Sequence, residues 1–68
     1  MSIMDNLTQR EQEVVRLLAQ GMRHGDIARA LCIEYDTVCK HAAAARRKTG
    51  TGTTMQLAIK ASIELRKE

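Results

Sequence analysis

The chain predicts an all-α domain, on three observations. Apolar residues recur at helical spacing, as in Val14, Leu17 and Leu18 or Ile27, Ala30 and Leu31. Prolines are absent, and the β-branched residues never alternate over the length of a strand, so a sheet has little support. Hydrophobic residues make up 44%, yet Tyr35 carries the only ring larger than imidazole, so the core must be Leu, Ile, Val, Met and Ala. Side chains of that size suit closely packed helices. At 68 residues the chain makes one small domain, near the size at which a single core barely suffices and a partner often helps.

The first helix begins at Thr8, followed three residues later by Glu11. That pair forms a capping box, in which each side chain satisfies an unpaired N–H at the helix start. Val14, Leu17 and Leu18 then share a face with Val15 at its edge, and Gly21 ends the helix because it accepts a left-handed cap. A second, shorter helix is expected over about 24–31, with Ile27, Ala30 and Leu31 inward and Ile33 beyond a tight turn. No Ser, Thr or Asn stands at its start, so it is poorly capped. The third helix runs from about Tyr35 to Lys48, and its early acids and late bases both suit the macrodipole. "TGTGT" breaks it.

The fourth helix starts at a second expected capping box, Thr53 with Gln56. On its wheel Leu57, Ala58, Ala61 and Leu65 form one apolar stripe and Met55, Ile59 and Ile63 another, while Gln56, Lys60, Glu64 and Lys67 hold the solvent side. One stripe serves the domain's own core. The second is either a dimer surface, which is the preferred expectation, or part of a four-helix interior.

Lysine and arginine exceed the acids by three, with a pI near 9.2, which is compatible with an anionic partner. No apolar run approaches the length of a membrane span, and "MSIMDNLTQRE" lacks the basic start and apolar core of a signal peptide. A cytoplasmic chain without membrane association is therefore expected, with Cys32 and Cys39 as reduced thiols. His24, Cys32, Cys39 and His41 are ligand types that suit zinc, but their spacing is not that of a finger or ribbon, so neither metal nor cofactor is expected. No nucleophile, base and oxyanion donor assemble into a catalytic cluster, which argues against an enzyme.

Two short helices joined by a tight turn, the second running into basic residues, make the pattern of a helix-turn-helix. Read in order, "LTQREQEVVRLLAQGMRHGDIARALCIEYDTVCKHAAAARRKTG" resembles the LuxR-type (GerE-like) helix-turn-helix family. The resemblance rests on Leu7, Thr8, Arg10, Glu11, Glu13, Val14, Leu17, Ala19 and Gly21, then Ile27, Ala28, Leu31 and Ile33, then Thr37, Val38, His41, Arg47 and Lys48. It implies a four-helix domain spanning 1–68 with its core at about 7–65, in which the third helix reads DNA and the fourth commonly supplies a dimer contact. The chain departs from the family at Cys32, where glycine is usual in the turn, and at Glu34, where serine usually caps the third helix. Cys39 replaces a frequent lysine, Ala43 occupies another position from which members often reach bases, and Arg46 and Thr49 stand where aliphatic residues are preferred.

The expected DNA-binding residues are Arg23, Thr37, Val38, Cys39, Lys40, Ala43, Arg47 and Lys48, and the expected dimer residues are Met55, Ile59 and Ile63. On the third helix Val38, Ala42 and Ala45 fall on one face, so two of the four alanines let it lie close to the first helix. The opposite stripe, Asp36, Cys39, Lys40, Ala43 and Arg47, is the groove-facing candidate. Small side chains at 39 and 43 allow close approach and contact with a thymine methyl, and Lys40 has the reach for guanine. Thr37 and Lys48 on a flank, with Arg23, can meet phosphates. Thr8 could do so too but is first a cap. Asp36 could accept from a cytosine amine but, as an acid repelled by phosphates, is expected first to serve the helix start. His41 is expected as a packed or hydrogen-bonded residue, and Tyr35 either packs over the turn or touches the DNA backbone.

Two functions follow. The first is a stand-alone transcriptional regulator that binds a pseudo-palindromic site in double-stranded DNA as a homodimer. With no receiver or ligand-sensing segment in these residues, its control is expected to come from abundance, a partner or a further domain. The second is an interaction module that pairs with a larger LuxR-type regulator and modulates or blocks its DNA binding.

Overall fold

The computed structural model describes residues 3–66, so Lys67, expected on the solvent side of the fourth helix, lies outside the described residues. A single 3-10 turn over Ile3–Asn6 leads into α1 (Gln9–Ala19), α2 (His24–Leu31), α3 (Tyr35–Thr49) and α4 (Thr54–Arg66). These pack into a body of 30 × 20 × 20 Å in which α1 lies against both α3 and α4.

The capping box forms as expected. Glu11 N–H donates to Thr8 Oγ1 at 3.2 Å, and Thr8 N–H donates to Glu11 Oε1 at 3.1 Å. At the other end Gly21 takes φ +92°, and the N–H of Met22 returns to the carbonyl of Leu17 at 3.2 Å, which closes α1. α2 has no side-chain cap at Arg23, and Asp26 pairs with Arg29 one turn later. It ends at Cys32, the one non-glycine among the described residues with positive φ, at φ 58° and ψ 43°. The left-handed turn is thus kept without its glycine, and the thiol-bearing residue takes the steric cost of about 1–2 kcal/mol.

α3 runs one residue past its expected end and stops at Gly50, φ +72°. Thr49, a polar residue where the family prefers an aliphatic one, donates its hydroxyl to the carbonyl of Ala45 at 2.8 Å and so is satisfied locally. The second capping box is only half formed. Gln56 N–H donates to Thr53 Oγ1 at 3.1 Å, but Gln56 Oε1 accepts from Gly52 rather than from Thr53.

Among the described residues twelve apolar side chains are buried, led by Ile27, Leu57, Val14, Val15 and Val38 at full burial, none of them aromatic. Two expectations about the helix faces need correction. Val15 is fully buried and Leu17 only partly, because α1 meets neighbours on more than one side; on α2 it is Ala28, not Ala30, that joins Ile27 inside. Met4, ahead of the expected core at 7–65, is buried too, brought in by the 3-10 turn.

Candidate nucleic-acid interface

α2, the turn at Cys32 and α3 form the helix-turn-helix. Val38, Ala42 and Ala45 are at most 1% exposed, so the inward face of α3 is as expected and Val38 must be withdrawn from the DNA-contacting residues. A valine sealed between α3 and the rest of the core cannot touch a base edge; it holds the helix that presents the others. On the outward face Asp36, Lys40 and Arg47 are exposed and Thr37, Cys39 and Ala43 partly so, with Arg23 exposed just before α2.

Lys48 is directed elsewhere. Its Nζ lies 2.7 Å from Glu11 Oε1, which ties the last turn of α3 to the first turn of α1. As a phosphate contact it therefore competes with a carboxylate that already holds it. Burial pushes the Glu11 carboxyl up, but the Lys48 hydrogen bond, the Thr8 N–H and the charges of Lys48 and His41 outweigh it, and the net effect is a group held below the usual carboxylate range. Glu11 is thus ionised at neutral pH although its side chain is only 8% exposed. No spacing in the sequence reports this pair, whose members are 37 residues apart.

A second unexpected meeting occurs at the start of α3. Cys39 Sγ lies 3.6 Å from His24 Nδ1, and the His24 ring is tilted against Tyr35 with centroids 6.0 Å apart. Tyr35 thus meets the start of α2 with 55% of its surface still exposed, which does not decide between packing and contact with the DNA backbone. Cys32 is exposed and free, and no group of three His, Cys, Asp or Glu residues among the described residues could hold a metal ion.

On the far side of the domain Met55, Ile59 and Ile63 are 73%, 56% and 50% exposed, which rules out the expectation that both α4 stripes lie inside the core. Leu57 and Ala61 supply the inward stripe, with Ala58 packed partly against it. A shallow groove lined by Ala19, Ser62 and Arg66 continues beside the exposed stripe toward the end of α1. Among the described residues no helix is long and apolar enough to cross a membrane.

Comparison with known proteins agrees with this geometry. The family model for bacterial regulatory proteins of the luxR family, GerE, matches residues 5–61. The methanol utilization control regulatory protein MoxX of Paracoccus denitrificans is 35% identical over 54 residues, which cover 79% of this chain and 24% of that protein. The chain thus spans about a quarter of that relative's length. No solved structure matches. The match over 5–61, with which the four helices and the left-handed turn between α2 and α3 agree, makes the chain a member of the luxR family of bacterial regulatory proteins, carrying that family's DNA-binding helix-turn-helix domain.

Proposed function

We propose that the domain binds a pseudo-palindromic duplex site as a homodimer, with α3 of each copy in a major groove and the α4 stripes of Met55, Ile59 and Ile63 facing one another. The observation that carries this proposal is the division of α3 into a buried face of Val38, Ala42 and Ala45 and an outward face bearing Lys40 and Arg47. With little side-chain bulk at 39 and 43, the backbone comes close to the base edges, where Lys40 donates to guanine and Ala43 meets a thymine methyl. Arg47, Arg23 and Thr37 take phosphates, which set register and supply most of the affinity. The two half-sites then lie about 34 Å, one helical turn, apart.

A second reading is favoured by Asp36, exposed in the first turn of α3 beside the thinned base-reading face. Here the α4 stripe pairs with a larger LuxR-type regulator and modulates or blocks its DNA binding. Titration of random duplexes and of duplexes selected from a random pool, each at two salt concentrations, separates the two. Tight, salt-sensitive binding of the selected pool supports the first reading. A folded dimer that binds neither pool at low salt supports the second.

A further inference from the structure

From the meeting of His24 and Cys39 we infer that the recognition surface carries a reactive thiol, and that Cys39 forms a reversible mixed disulfide with low-molecular-weight disulfides, blocking DNA. The reacting pair comes from two elements: His24 opens α2, and Cys39 lies in the second turn of α3, with 3.6 Å between Sγ and Nδ1. An imidazole whose Nδ1 is unprotonated accepts the thiol proton at that distance, and Tyr35 packed on the ring limits its rotation away. Lys40 and Arg47 stand on the same outward stripe as Cys39 and outnumber Asp36 there, which favours the approach of anionic disulfides to this face. Cys32 Sγ instead donates to the Arg29 carbonyl at 3.8 Å, in the open.

The chemistry balances without a metal. The Cys39 proton passes to His24 Nδ1, the thiolate attacks one sulfur of RS–SR, the old S–S bond breaks, and RS⁻ leaves with the electron pair and recovers a proton. Cys39 is oxidised to Cys39–S–S–R, and one equivalent of RSH is produced. Excess thiol reverses the step. The adduct stands on the face proposed to enter the groove, so its effect on DNA rests on that proposal; the thiol chemistry does not.

The two cysteines provide an internal comparison. If exposure alone governs reaction, Cys32 is modified first; if the His24 pair governs it, Cys39 is. The wild-type chain is treated with 5,5′-dithiobis(2-nitrobenzoate), quenched at intervals and mapped by peptide mass spectrometry. Cys39 is expected to react about tenfold faster than Cys32, and His24→Gln to remove that advantage while leaving the Cys32 rate unchanged. Cys39 reacting no faster than Cys32, or His24→Gln altering both rates together, overturns the inference. In the Cys32→Gly background, oxidised glutathione is then expected to abolish binding to a selected duplex, with recovery in dithiothreitol. Undiminished binding by the fully modified protein overturns the blocking role. Absence of binding before any treatment instead counts against the proposed function and leaves the rate comparison to decide the thiol.

Discussion

Replacing Glu11 with glutamine isolates the charge that ties α3 to α1. Gln serves at the third position of a capping box, so the reciprocal bonds with Thr8 survive while the ion pair to Lys48 is lost. The carboxylate is buried and the lysine side chain 36% exposed, so the pair lies between a surface bridge, worth under about 1 kcal/mol, and a fully buried one. A loss of about 1 kcal/mol is expected, or a fall in Tm of roughly 4–8 °C for a domain this small. Glu11→Ala removes the cap as well and is expected to cost about 1 kcal/mol more. Urea unfolding followed by far-UV circular dichroism, on Glu11→Gln, Lys48→Met and the double variant, gives the coupling energy directly. A coupling below about 0.3 kcal/mol would refute the claim that this pair fastens the two helices. The pH dependence follows from the depressed carboxyl: the unfolded chain binds its proton first as pH falls, so the pair's contribution is complete above the ordinary value of 4.5 and is lost as pH drops below it through the folded-state value. The stability gap between wild type and Glu11→Gln should accordingly close in acid.

Further outcomes test the other surfaces. Lys40→Ala is expected to cost about 1–3 kcal/mol on a selected duplex and far less on random DNA, as measured by fluorescence anisotropy; equal losses on both would make Lys40 a phosphate contact. Arg47→Ala should weaken all sequences alike and lower the salt slope by about one unit per contact removed. Ile59→Glu should yield a folded monomer by size-exclusion chromatography with light scattering, since Ile59 makes no essential core contact at 56% exposure; an unchanged oligomer rules out the α4 stripe. Cys32→Gly relieves the left-handed residue at φ 58° and should stabilise the domain by about 0.5–1 kcal/mol, which a fall in Tm would contradict.

What could be read from the chain was whatever is decided within about one helical turn. Thr8 with Glu11, the stop at Gly21, the break within "TGTGT", and the alternation of Val38, Ala42 and Ala45 against Lys40 and Arg47 are all local, and all stand in the fold. The half-formed box at Thr53 marks the edge of that range, because whether Gln56 reaches the N–H of Gly52 or of Thr53 depends on how the preceding loop enters the helix. Periodicity likewise gives the direction of a face but not its width, and Val15 and Ala28 are buried beyond the expected faces where α1 and α2 have neighbours on two sides. Pairs between helices were out of reach: Glu11 with Lys48, and His24 with Cys39, are set by how α3 docks, and nothing in either residue's own surroundings names its partner.

The four alanines of α3 join the legible and illegible parts. Ala42 and Ala45 are buried, while Ala43 and Ala44 remain partly exposed, so the helix is thin on its core side and on part of its outer side. A thin inner face brings α3 close to α1, and a close α3 is what lets Lys48 span from its last turn to a carboxylate in the first turn of α1. The same docking places the second turn of α3 beside the start of α2, where Cys39 meets His24. A bulkier residue at 42 or 45 would push α3 outward, and both inter-helix contacts would lengthen together. Ala45→Val is therefore expected to lower the Glu11–Lys48 coupling and slow Cys39 toward disulfides in one variant; retention of both at wild-type levels would show that α3 is positioned by something other than its alanines.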